Sequence, residues 1–198
     1  MNIQLVDNMK DLYSISNVFD IELLDRLHST DLYVYNWERE NMQKDLLRCK
    51  LTYDKEDILN ELDQSINSKE NLQQVSEVCG QKVYRVSSNF WLDKPGYIIT
   101  NHPDNPQVGS VIHIYLWPND KSLGTIFYHN KADEFELDNK GSWEFPKDEN
   151  INNLKLRKQF DYIVNTGYIM KNKFQIHGMT IPVPENSTRF SLYGHIGI

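Results

Sequence analysis

The run SVIHIYLW at residues 110–117 constrains the fold more than any other stretch of the chain. In an extended chain Ile112, Ile114 and Leu116 leave one face, and Val111, His113, Tyr115 and Trp117 leave the other. The first face is purely apolar and must be covered. The second mixes aromatic with polar groups. Such a strand implies helices packed behind it and a functional cavity in front.

The surroundings agree. After Gly80 the sequence breaks into short runs of Val, Ile, Tyr, Phe and Trp separated by Gly, Pro, Asn and Asp, the pattern of strands and turns. Strands are expected near 81–91, 97–102, 110–117, 124–128, 167–171, 173–179 and 188–196. Residues 130–165, dense in Asn, Lys, Asp and Glu, read as an insertion or long connection between strands. The first eighty residues lean towards helix instead. Asp20 caps a segment carrying Ile21, Leu23, Leu24 and Leu27, Asp54 caps one carrying Ile58, Leu59, Leu62 and Ile66, and Ser68 opens a third that Gly80 closes. Each has one apolar stripe to bury.

Helices followed by many strands make an α+β chain, with residues 1–80 as a helical cover and 81–198 as the core of a β-sandwich or jelly roll. At 198 residues a single domain spanning 1–198 is the expectation.

Composition narrows the partners. A formal charge of −7 disfavours nucleic acid, whose binding needs clustered Lys and Arg that are not found here. Cys49 and Cys79 are too few for a disulfide framework and lack the paired spacing of a structural zinc site, so a reducing, cytoplasmic setting is expected. No run approaches the roughly 18 continuous apolar residues of a membrane span, and the first residues lack a basic start followed by an apolar stretch.

The chemistry lies in GYIITNHPDNP. His102 and Asp104 stand two apart, so in an extended chain both side chains leave one face and can converge on one ion. Two His and one carboxylate form the facial triad of non-haem Fe(II) oxygenases, which leaves three coordination positions open. Read alone, the pair is better explained as part of an exposed Asx turn, because Asn-His-Pro-Asp-Asn-Pro is rich in turn formers.

The ordered runs PGYIITNHPDN, SVIHIYLWPND, LGTIFY, KFQIHGM and TRFSLYGHI resemble the Fe(II)/2-oxoglutarate-dependent dioxygenase superfamily, particularly its prolyl-hydroxylase-like branch. The resemblance covers about residues 80 to 198 and implies a double-stranded β-helix. It also implies that His102, Asp104 and His177 hold Fe(II), and that Arg189 pairs with the distal carboxylate of 2-oxoglutarate. Ser191, two residues on along the same strand face, and Tyr115, before a Leu, are implied as further donors to that carboxylate. The implied reaction converts 2-oxoglutarate and O2 to succinate and CO2 while hydroxylating a C–H bond of a peptide, protein or small-molecule substrate. Trp91, Tyr97, Trp117 and Tyr128 are candidates to shape the entrance. The planar fork of Arg is suited to a carboxylate in its own right, because it binds bidentately and stays charged.

Three details depart from the family pattern: Pro103 inside the motif, Gly124-Thr125 where relatives have two glycines, and nine residues after Arg189, which leave no closing helix. Two other classes use the same residues. A cupin-like hydrolase or isomerase would bind zinc or another ion through the triad and activate water. A non-catalytic jelly-roll binding module would need no metal. The sequence leaves His113 open between pocket wall, donor to a ligand residue and packed neutral imidazole, and reads His28, His129 and His195 as structural or surface residues.

Overall fold

The computed structural model describes residues 1–6, 11–31, 37–39, 47–51, 57–99, 101–102, 104, 109–128, 156–171 and 175–197. Among these, no helix is long and apolar enough to cross a membrane.

Three helices form where the apolar spacing places them. Helix α1 (Ile21–His28) starts at Asp20, whose side chain accepts a hydrogen bond from the Glu22 amide at 2.9 Å, and it turns Leu24 and Leu27 inward. Helix α2 (Ile58–Ile66) buries Leu59, Leu62 and Ile66. Its cap position is Asp57, whereas the expected Asp54 lies outside the described residues. Helix α3 (Lys69–Cys79) opens on Ser68, which accepts from the Asn71 amide, and closes on Gly80 at φ 72°, a left-handed conformation that glycine adopts without steric cost.

The strands are β1 (Asn2–Leu5), β2 (Leu12–Ser16), β3 (Trp37–Arg39), β4 (Arg48–Leu51), β5 (Arg85–Asp93), β6 (Val111–Trp117), β7 (Thr125–Tyr128), β8 (Leu156–Gln159), β9 (Thr166–Met170), β10 (His177–Met179) and β11 (Arg189–Gly197). Eight of them form one antiparallel sheet in the order β1-β2-β9-β6-β11-β5-β4-β3. The other three form a small antiparallel sheet, β10-β7-β8.

Strand β6 lies inside the large sheet, between β9 and β11, and its apolar face is covered by helices as expected. Ile112, Ile114 and Leu116 pack with Leu24, Leu27, Leu59, Leu62, Ile66 and Val75 of the helices. On the opposite face Val111 and Tyr115 pack with Tyr168 of β9, Phe127 of the small sheet, Phe160 and Tyr162. The small sheet thus lies across the face of the large one that the helices leave free.

Several expectations change. The first eighty residues contain four strands as well as helices, because IQL and LYSIS are short enough for sheet pairing to override local preference. In β2, Leu12 and Ile15 fall on opposite faces and both are buried, which only a strand covered on both sides achieves. The expected connection 130–165 ends in β8, and Phe160 and Tyr162 beyond it are core residues. Its residues 130–155 lie outside the described set. The described residues among 97–102 form no regular strand. Gly96 turns the chain at φ 86°, and Tyr97, Ile99 and His102 then meet residues 177–183 through scattered hydrogen bonds.

Trp117 does not share a face with Tyr115. The β6–β11 register shifts, so that Ser191 opposes Tyr115 while Phe190 opposes Trp117, and the extra residue Leu116 turns Trp117 to the helix side. There its ring meets His28 edge-on at 5.1 Å and is 48% exposed.

Candidate metal and carboxylate site

His102 and His177 face each other as an antiparallel pair, His102 N–H donating to the His177 carbonyl at 2.9 Å and His177 N–H returning to His102 at 3.0 Å. Directly opposed residues send their side chains to one side. The two rings accordingly lie 4.7 Å apart between centroids. Gly178 permits this approach, since a Cβ there would stand 2.5 Å from Asn101 Oδ1 and 3.0 Å from the Asn101 amide nitrogen.

Asp104 completes the cluster. Its Oδ1 lies 4.0 Å from His102 Nε2 and 3.8 Å from His177 Nε2, and one ligand atom from each residue falls within 4.8 Å of the others. His177 Nδ1 is 2.9 Å from the Gln175 carbonyl. A carbonyl only accepts, so Nδ1 carries the proton and Nε2 keeps its lone pair on the cluster side. The Phe127 ring stacks on His177 at 5.5 Å and fixes its plane. Two imidazole nitrogens and a carboxylate oxygen are a donor set that fits a divalent transition metal, with the remaining positions open.

A second group of polar side chains lines the same face of the large sheet. Arg189, Ser191, Tyr193 and His195 alternate along β11 with the core residues Phe190, Leu192 and Ile196. Arg189 is 2% exposed, and its guanidinium sits 4.8 Å above the Tyr162 ring, whose hydroxyl donates to the Phe190 carbonyl at 2.7 Å. The fully buried Asp93 is 3.6 Å from Arg189 Nε, but it is already held by Arg48 at 2.7 Å. Among the described residues, Arg189 Nε and Nη1, Ser191 Oγ and His113 Nε2 have no hydrogen-bond partner. Buried donors of this kind cost stability unless something accepts from them. A carboxylate offers acceptors in the planar geometry a guanidinium requires.

Burial sets the protonation of the surrounding groups. His113 is pushed well below the usual imidazole range, first by desolvation and then by the charges of Arg189 and Arg48, so it is a neutral imidazole whose Nδ1 meets the Tyr168 hydroxyl at 3.0 Å. The Tyr115 phenol, which donates to Thr125 Oγ1 at 3.0 Å, is pushed up to about 12, chiefly by burial. Tyr193 is likewise raised, by burial first and the Asp104 charge second. All three are uncharged at neutral pH.

Every candidate from the sequence is thus accounted for: His102, Asp104 and His177 meet, and Arg189, Ser191 and Tyr115 share one buried face. Of the expected entrance residues, Trp117 lies on the helix side and Tyr97 is buried with Met179 and Val183, while Trp91 and Tyr128 are half-buried. Pro103 and His129 lie outside the described residues. Sequence reading missed Asp93, Arg48, Tyr162, Gln175 and Tyr193. Only Asp93, ending a strand that pairs with the Arg189 strand, carried a signal, and reading it required the register.

No family model matches the chain, and no curated protein matches it. Its fold is similar to that of solved non-haem, 2-oxoglutarate-dependent enzymes. A prolyl-4-hydroxylase of Pseudomonas putida aligns over 94% of this chain and 92% of its own, with a TM-score of 0.61 and 10% identity. HygX of Streptomyces hygroscopicus, solved with nickel, 2-oxoglutarate and hygromycin B, aligns over 94% of this chain and 82% of its own, with a TM-score of 0.63 and 11% identity. The epimerase SnoN from nogalamycin biosynthesis aligns over 93% of this chain and 78% of its own, with a TM-score of 0.66 and 9% identity. Identities of this size carry the fold, while the chemistry rests on the residues above.

Proposed function

We propose that the chain is a non-haem Fe(II), 2-oxoglutarate-dependent oxygenase that hydroxylates a C–H bond. The observation that carries this reading is one buried face holding both a His-Asp-His cluster and an arginine whose Nε and Nη1 have no hydrogen-bond partner among the described residues. His102 Nε2, Asp104 Oδ1 and His177 Nε2 would hold the metal. Arg189, with Ser191 and Tyr115 beside it, would take the distal carboxylate of the cosubstrate.

When bound, iron supplies the O2 chemistry that couples decarboxylation of 2-oxoglutarate to substrate oxidation, giving succinate and CO2. The chain's own residues position and protect. Asp93 and the Tyr162 ring keep the Arg189 fork from rotating, the uncharged Tyr115 would turn its hydroxyl from Thr125 Oγ1 to the bound carboxylate, and Phe127, Phe160 and Tyr168 exclude water from the inner end. A neutral His113 adds no charge that would compete for the carboxylate. The two sheets, facing each other across these aromatics, act in this reading as a double-stranded β-helix in one domain. Its two free cysteines suit a reducing cytoplasm.

A peptide or protein side chain is the proposed substrate, on the strength of the likeness to a prolyl-4-hydroxylase over nearly the full length of both chains. A small molecule is the second reading, favoured by the likeness to HygX, which is solved with hygromycin B. A cupin-like hydrolase or isomerase would give the buried Arg189 and Ser191 donors nothing to bind.

Anaerobic titration of the Fe(II)-loaded protein with 2-oxoglutarate is the decisive test. A weak visible charge-transfer band is expected as the keto acid chelates the metal, and its absence overturns the proposal.

A further inference from the structure

Asp104 has two carboxylate oxygens, and the structure treats them differently. Oδ1 faces the two histidines at 4.0 and 3.8 Å, whereas Oδ2 accepts a hydrogen bond from the Tyr193 hydroxyl at 2.9 Å. We propose that Tyr193 is a positioning residue that restricts Asp104 to one-oxygen ligation, so that the position a bidentate carboxylate would occupy stays open for cosubstrate. The proposal rests on the metal reading above and adds to it the coordination mode.

The geometry supports a fixed hydroxyl. Tyr193 opposes His113 on β6 and Asn89 on β5, so its backbone is held from both sides. Its ring packs between His113 at 5.6 Å and His195 at 5.4 Å, both edge-on. The strand that carries it also carries Arg189 and Ser191, so one rigid element sets both the carboxylate clamp and the free oxygen of the metal ligand. A phenol that donates to one oxygen lowers that oxygen's capacity to bind metal more than the other's. Partners of this kind that hold a ligand from outside typically alter metal affinity by about 10- to 100-fold when removed.

Cobalt(II) is the probe, since its visible absorption weakens as coordination number rises and needs no turnover. The full-length parent and Y193F are titrated anaerobically with Co(II), with H177A as the control that lacks a ligand. One equivalent bound by the parent and none by H177A upholds the metal reading, and failure there sinks that reading before Tyr193 is in question. Given parent binding, Y193F is expected to change its Co(II) affinity by about 10-fold or more, with a weaker visible band as the second oxygen joins the metal. An identical spectrum overturns the proposal whatever the affinity and leaves Tyr193 as packing.

If Y193F does not fold, the parent alone decides. In its infrared difference spectrum on Co(II) loading, with 13C-labelled aspartate, a wide separation of the carboxylate stretches supports one-oxygen ligation and a narrow separation overturns it.

Discussion

Asp93 lies directly across the β5–β11 ladder from Arg189, while Arg48 opposes the same aspartate from β4, so that three adjacent strands carry an Arg–Asp–Arg row. The aspartate is shared unequally, at 2.7 Å to Arg48 Nε and 3.6 Å to Arg189 Nε. Arg189 is oriented by this carboxylate without being satisfied by it.

Removing the charge of Asp93 therefore has two effects. D93N leaves the buried Arg189 and the half-buried Arg48 without their counter-ion and is expected to lower the unfolding free energy by about 3–5 kcal/mol. The measurement is urea unfolding of parent and variant at one pH. A loss below about 1 kcal/mol would show that the row contributes orientation only.

Arg189→Ala deletes the fork itself. Losing a bidentate, charge-assisted pair is expected to weaken 2-oxoglutarate binding by about 100-fold while Fe(II) uptake stays near the parent's. H177A is expected to lose the metal. Equilibrium dialysis of both ligands against both variants separates the two sites. Parent-like binding by both would refute the residue assignment.

His113 makes stability depend on pH. Its folded pKa lies well below the ordinary value of 6.5, so below about 6.5 the unfolded chain takes up a proton that the folded chain refuses. Its contribution is present above that pH and is lost as pH falls towards the folded value, by up to about 1.4 kcal/mol per pH unit. H113N cannot titrate there, so its stability difference between pH 8 and pH 5.5 is expected to be smaller than the parent's. Parallel profiles would show that His113 is already charged in the folded protein.

Gly167 of β9 tests the sheet beside it. A Cβ at this position would stand 1.8 Å from the His113 carbonyl oxygen, a backbone atom that cannot move aside without parting β6 from β9. G167A is expected to destabilise by about 1–3 kcal/mol or more, read as a lowered midpoint in thermal unfolding. A parent-like midpoint would mean that the two strands separate freely.

Much of the molecule was legible from local pattern. The period of two in VIHIYLW assigned helices to one face and the site to the other, and the three- and four-residue apolar spacing located α1, α2 and α3. These signals are local, so tertiary packing had only to accept them. Strands β1, β2, β3, β4 and β8 escaped because a segment of three to five residues has little pattern of its own and becomes a strand only when a neighbour supplies the hydrogen bonds. Trp117 escaped because alternation assumes an unbroken ladder, and the register shift opposite Phe190 reversed its face.

The candidate site divides along the same line. The sequence by itself determined which residues to watch: a His and an Asp two apart, a later His, and an Arg in an apolar strand, since side-chain chemistry and strand periodicity are properties of the chain. Only the tertiary structure decided that His102 and His177 face one another and that Asp104 turns one oxygen to them and the other to Tyr193. It alone placed Asp93 between two arginines. Those relations depend on pairing between segments distant in sequence, and register across a sheet is set by the whole core rather than by any one strand.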